Sequence, residues 1–115
     1  MTKYLISFPG SAMNHIPPED FPAVSEASHE VVREAKRAGV WIFGGGINED
    51  VPSIMVSGDC SVSSETYPQT REFDGGFTVL EVATREEAIQ WAAKIAVGCR
   101  CPQELREFQY DPESI

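Results

Sequence analysis

The stretch Tyr67-Pro68-Gln69-Thr70-Arg71-Glu72-Phe73-Asp74-Gly75-Gly76-Phe77-Thr78-Val79-Leu80-Glu81-Val82 decides the fold. A polar, turn-forming run opens onto two glycines, and an apolar strand follows. Side chains alternate along a strand, so Phe77, Val79 and Glu81 share one face and Thr78, Leu80 and Val82 the other. Thr84-Arg85-Glu86-Glu87 then forms a capping box that starts a helix. Ala88, Trp91, Ala92 and Ile95 recur at helical spacing as its buried stripe, and Gly98 is the expected stop.

Toward the N-terminus, Tyr4, Ile6 and Phe8 alternate with Leu5 and Ser7, which reads as a first strand ended by Pro9-Gly10. Ser11 to Pro22 carries Pro17, Pro18 and Pro22 and is expected to be a long loop, a common place for a functional cover. A helix should begin near Pro22, since the first helical turn tolerates a missing N–H. Val24, Ala27 or Ser28, Val31, Ala35 and Ala38 mark its buried side. Lys36 and Arg37 suit the negative end of its dipole, and Gly39 ends it.

Val40-Trp41-Ile42-Phe43 is a continuous apolar run and predicts a strand buried on both faces. The following Gly44-Gly45-Gly46 is neither a phosphate loop, for want of a Lys-Ser or Lys-Thr pair, nor a dinucleotide fingerprint. Its glycines are read as a bend or a close backbone approach. Ser53–Ser57 and Cys60–Ser63 predict a short hairpin about Gly58-Asp59. A last strand falls within Cys101 to Tyr110, and residues 110–115 are a tail.

The order is strand, helix, strand, hairpin insert, strand, helix, strand. Two tandem strand-helix-strand units predict an α+β, ferredoxin-like βαββαβ domain, with both helices on one face of an antiparallel sheet. Trp41, Phe43, Phe77, Val79, Phe8 and Ile6 are too many apolar residues to leave the other face bare. A homodimer with the sheets packed face to face, burying roughly 1,000 Å² or more in total, is therefore expected.

The bulk properties agree with one domain over residues 1–115. The formal charge is −9, from 18 acidic and 9 basic residues, which repels phosphate backbones and anionic bilayers. Neither nucleic acid nor membrane is expected as a partner. Three cysteines without framework spacing argue against a disulfide scaffold, and Cys99-x-Cys101 has neither redox nor zinc spacing. No cofactor or metal is expected. With no apolar run long enough for a signal peptide or membrane span, the expected compartment is a reducing cytoplasm.

Three segments carry a resemblance. They are Ala38-Gly39-Val40-Trp41-Ile42-Phe43-Gly44-Gly45-Gly46, Thr70-Arg71-Glu72-Phe73-Asp74-Gly75-Gly76-Phe77 and Glu87-Ala88-Ile89-Gln90-Trp91-Ala92-Ala93. Together they resemble the YCII-related family, and more closely its branch known for an Asp-Gly-Pro-Phe motif, over nearly all of residues 3 to 110. The resemblance implies a dimeric α/β barrel. Some members carry a His–Asp pair suggested as an acid/base centre, and relatives catalyse lyase or isomerase steps on ring compounds. Branch members are also tied to transcription initiation, because some occur beside or fused to sigma factors. Where the branch motif should stand, this chain has Ser64-Glu65-Thr66-Tyr67, so Ser64 replaces the aspartate.

Two functions are therefore expected in competition. One is a cofactor-free acid/base enzyme acting on a small organic acid or ring compound. His29, the nearest match to the family histidine, would be the base, since imidazole changes charge near neutral pH. Asp74 or Glu72 would orient it, Arg71 would clamp a substrate carboxylate, and Tyr67 and His15 could reach the substrate. The bland reading of His29 is a surface histidine beside Glu26 and Glu30. The other function is a non-catalytic binding or regulatory domain, linked to transcription through a sigma factor. The enzyme requires His29 to face a pocket with a carboxylate within reach.

Overall fold

The computed structural model describes residues 1–114; residue 115, the end of the expected tail, lies outside the described residues. Strands β1 (Thr2–Phe8), β2 (Trp41–Gly46), β5 (Gly76–Val82) and β6 (Glu104–Glu107) form an antiparallel sheet in the order β2-β5-β1-β6. Helices α1 (Phe21–Arg37) and α2 (Arg85–Cys99) pack together, α1 against β2 and α2 against β5 and β6. This is the ferredoxin-like α+β arrangement that the element order predicts. Strands β3 (Met55–Val56) and β4 (Val62–Ser63) make a separate two-stranded ribbon.

The core is asymmetric. Tyr4 and Ile6 of β1, Leu80 and Val82 of β5, and Ala88 and Ala92 of α2 form one buried cluster, with Val40, Trp91, Ile95 and Leu105 against it. Burying Ile6, Leu80 and Val82 contributes about 1.5–3 kcal/mol each. Alanines at the contact let α2 lie close to the sheet. From α1, only Val24 and Ala35 are buried, while Ala27 and Ala38 of its expected stripe are exposed.

The two glycines before β5 bring two strand ends together. A Cβ on Gly75 would collide with the Phe8 carbonyl oxygen, and one on Gly76 would meet the Phe8 ring. The Asp74 carboxylate accepts the Gly10 N–H at 3.0 Å and fixes the chain as it leaves β1. From there Gly10–Met13 and Pro18–Asp20 form two short 3-10 turns, so the proline-rich loop is ordered, and Ile16 between them is buried.

Four local expectations need correction. Strand β2 is an edge strand with a bulge between Trp41 and Phe43, which leaves Ile42 and Phe43 exposed rather than buried on both faces. Trp41 pairs with the core residue Leu80, and Ile6 is also in the core. Those two, with Phe8, therefore do not belong to the open face. Gly98 does not stop α2: the helix continues to Cys99, and Arg100 takes the left-handed cap at φ 56°. Gly98 is instead where the helices touch, since a Cβ there would lie 3.2 Å from the Ser28 Cα. Finally, the β3–β4 turn spans Ser57–Ser61 rather than a tight Gly58-Asp59 pair. The Asp59 carboxylate accepts the Ser61 N–H at 2.9 Å, and Cys60, not Gly58, has the positive φ of 70°.

Thr84 caps α2 as expected, its hydroxyl accepting the Glu87 N–H at 3.2 Å. The glycine contacts lead to a paired prediction. Gly75→Ala should lower unfolding stability by about 3 kcal/mol, because backbone must move to admit the methyl group. Gly45→Ala, whose Cβ would meet nothing within 4 Å, should change it by less than about 0.5 kcal/mol. Urea denaturation of both variants checks this.

Candidate functional site

Because α2 sits down on the sheet and α1 meets it mainly at Val24 and Ala35, a cleft of about 620 Å³ opens between α1, β2 and α2. Phe8, Trp41, Trp91 and Ile95 supply apolar walls, and Ser25, Ser28 and His29 of α1 bring polar atoms to it. The Trp41 ring folds back over Gly44, filling the space a Cβ would occupy there. Trp91 is held from the solvent side by the Lys94 ammonium, 4.9 Å from the ring centre, and Lys94 also pairs with Glu34 of α1. Two aromatic rings are thus fixed by packing on different elements, as in sites that bind flat or apolar small molecules.

A second cleft adjoins it, sharing Phe8, Met13, Phe21, Gly46 and Gly76. It is more polar. Arg71, Asp74 and Glu49 line it, together with the Gly10–Pro18 loop and the start of the segment after β2. The Glu49 carboxylate takes the space beside Gly10 that a side chain would fill: a Cβ there would lie 2.7 Å from its Oε1. Among the described residues Arg71 makes no ion pair, although most other basic side chains do. An apolar chamber adjoining a chamber with an unpaired guanidinium suits an amphiphilic ligand, a ring with an acid group.

The structure separates the residues that the sequence reading grouped. His29 lines the apolar cleft but is exposed to solvent, and its Nδ1 lies 3.3 Å from Ser25 Oγ; no carboxylate bonds to it among the described residues. Glu26 and Glu30 are engaged by Arg33 and Arg37 instead. Asp74 lines the neighbouring cleft and spends one oxygen on the Gly10 N–H. Glu72 lines a small pocket with Ser7, Glu104 and Arg106, on the face of the sheet away from the helices, so the sheet stands between it and His29. Tyr67 is 64 % exposed, and neither it nor the exposed His15 lines either cleft. Residues of the Ser11–Pro18 loop line the polar cleft, and residues 59–70 line neither.

Sequence reasoning missed Ser25, Trp41 and Glu49 as site residues. Ser25 was legible as the residue one helical turn before His29. Trp41 and Glu49 were not, because only the bulge in β2 and the path of the chain after it place them.

Cys99 lines the apolar cleft, and burial raises its thiol from the ordinary 9.0 to about 11. Burial also raises Cys101, whose Sγ lies 3.5 Å from the Gln103 amide nitrogen. At neutral pH both are protonated, so Cys99 is an apolar wall and not a nucleophile. A thiol reagent at pH 8 should label Cys60 quickly in the native protein and all three cysteines only after unfolding. The folded protein holds the Cys99 proton more tightly than the unfolded chain does. That contribution to stability is complete below pH 9 and is lost as the pH rises toward 11, which a pH series of urea melts would show.

The comparison with protein families spans all three quoted segments. No curated protein matches the chain. The profile of the YCII-related domain matches residues 10–99, which run from the Gly10 latch to the end of α2. The chain belongs to the YCII-related family.

Proposed function

We propose that this YCII-related chain, of the branch named for its Asp-Gly-Pro-Phe motif, binds a small amphiphilic molecule and transforms it by cofactor-free acid/base chemistry of lyase or isomerase type. The observation that carries the reading is the aromatic-walled cleft with His29 on its α1 wall, adjoining the cleft that Arg71 lines. A ring would lie between Trp41 and Trp91, where burial of apolar surface favours it. An acid group would reach toward Arg71, which can bind a carboxylate through two parallel N–H bonds. His29 would move a proton to or from the bound ring, and Ser25, at its Nδ1, would orient the imidazole. Asp74 serves this site by shaping it, holding Gly10 and so the loop that lines the polar chamber.

The absence of a carboxylate on His29 favours a second reading. A histidine without an orienting anion, and Ser64 in place of the branch aspartate, suit a domain that senses a ligand and passes the signal to a protein such as a sigma factor. One experiment separates the two. A set of aromatic and alicyclic carboxylic acids is first screened by the fluorescence of Trp41 and Trp91, and any binder is followed for chemical change by NMR. In the catalytic reading His29→Gln leaves affinity within about twofold and lowers turnover by about 100-fold or more. Binding without turnover in the wild type would leave the sensor reading standing.

Arg71→Gln should weaken a carboxylate ligand about tenfold and leave its neutral amide unaffected; equal loss for both would remove the anion clamp.

We further infer that the protein works as a homodimer through the open face of the sheet, forming a dimeric α/β barrel. Phe43 is 67 % exposed there, and Phe77 and Val79 project beside it. A second copy is the partner of matching shape, since a two-fold axis sets a patch against itself. Because the clefts lie on the helix side, dimerisation would leave them open.

A further inference from the structure

The β3–β4 ribbon is not packed like the rest of the molecule. Its two strands touch each other, and neither packs to any extent on another element. A two-residue ladder of this kind is marginal by itself. The whole molecule, ribbon included, is flat, with extents of 43 × 42 × 20 Å, and the radius of gyration is 15.7 Å, against about 13 Å for a compact chain of this size. The ribbon is therefore an arm.

Its side chains make it an unusual one. Val56 and Val62 are directly opposed across the ladder, so both lie on one face of the ribbon, and they are 61 % and 64 % exposed. Val51 and Ile54 on the approach to β3 are also exposed. From Val51 to Ser64 the only ionised side chain is Asp59, in a chain with 27 charged residues. The stretch that projects could therefore touch another acidic molecule with little charge repulsion. The arm leaves the sheet between Gly46 and Gly76, which are paired at one end of the open face. Its return leg stays on that face, where Phe73 stacks on Phe77 at 5.6 Å.

The other end of the same face holds a groove of about 730 Å³. Ile42, Val79, Phe108 and Tyr110 give it apolar walls, and the paired Lys3 and Glu81 lie at its edge. Thr2 and Val82 mark this end of the strands, as Phe8 and Gly76 mark the other. An apolar projection at one end of a face and an apolar recess at the other cannot meet within one chain. A two-fold axis across the strands brings each arm of a dimer to the other copy's groove, both at once, as a closed symmetric pair requires.

We propose that the β3–β4 arm is exchanged: in the dimer, Val56 and Val62 of each copy seat in the Ile42–Phe108–Tyr110 groove of the other. This rests on the sheet-face dimer inferred above and adds to it a specific axis and a second, separable contact. The arm also connects to the polar cleft, because Val51, Pro52 and Ser53 line it. Seating the arm on a second copy would therefore order one wall of the ligand site.

The full chain is prepared as an equal mixture of carbon-13-labelled and unlabelled protein, and isotope-filtered NOEs are recorded. The dimer constants of the wild type, Val56→Asp/Val62→Asp and Phe43→Asp are measured by sedimentation. Methyl-to-ring NOEs from Val56 and Val62 to the other copy's Phe108 and Tyr110, with dimerisation at least tenfold weaker in the arm variant, are expected. A dimer that Phe43→Asp weakens but the arm variant does not, with no intermolecular NOE from the arm, would overturn the exchange and leave the sheet pairing intact. A folded monomer at every concentration would overturn both.

Discussion

The rest of this molecule depends on the missing side chain of Gly75. Its Cα lies against the Phe8 carbonyl, at the point where β1 ends and β5 begins. Any Cβ there would push the two central strands apart at that end. With it absent, the Phe8 ring lies over Gly76 and becomes the wall common to both clefts. The Asp74 carboxylate, one residue earlier, then reaches the Gly10 N–H. That bond sets the direction of the loop whose Ile16 is buried beside the site. The Asp-Gly-Gly run is thus a hinge point for sheet, loop and cavity together, and its carboxylate has a structural task whatever else it does.

The cavity itself follows from the unequal size of the residues on the two helices. Ala88 and Ala92 let α2 approach the sheet closely, and Gly98 lets α1 cross α2 near Ser28. Between the buried Val24 and Ala35, the central turns of α1 line the cleft through Ser28, Val31 and Val32. The gap is bordered by Trp41 and by Trp91, which also packs against the core cluster. Close packing is the default of protein interiors, so a gap bordered by rings held in place by neighbours is a cavity the sequence maintains. His29, Ser25 and Ser28 fall on the side of α1 that faces it, where longer apolar residues would have closed it.

What could be read from the residues was whatever depends on local chemistry. The α1 start at Pro22 and end at Gly39, the Thr84 cap, the alternation in β1 and β5 and the order of elements all follow from short-range rules, and all appear. The misreadings concern quantities that depend on the third dimension. Val40–Phe43 is apolar throughout, and only the sheet order shows that it is an edge whose bulge turns Ile42 and Phe43 outward. Gly98 looks like a helix stop until the second helix is seen to press on it. The same division runs through the site. That His29 lies on the flank of the α1 apolar stripe was legible; whether that flank meets a cleft was not. Which carboxylates surround it was not, because Asp74 and Glu72, two residues apart, point to opposite faces of the sheet.

The distribution of charge bears on how such an acidic chain could associate with itself. At −9, two copies repel at long range, and only a surface with little net charge can overcome this. On α1 the glutamates face outward in a network with Arg33 and Arg37, away from the sheet. On the open face the charges are paired within the chain: Lys3 with Glu81 at 2.8 Å, Arg106 with Glu104 at 3.4 Å. Lys3 holds the Glu81 carboxyl below its ordinary range, so that pair stays ionised and neutral overall as the pH falls into the carboxylate range. The apolar residues Phe43, Phe77 and Val79 lie on the same face, on β2 and β5. A face of that composition is poorly solvated and weakly charged in a molecule that is otherwise strongly charged. Excess charge on the helices limits association there, while neutrality and apolar area favour it on the sheet. The acidic balance would then select the interface by making every other surface a worse one.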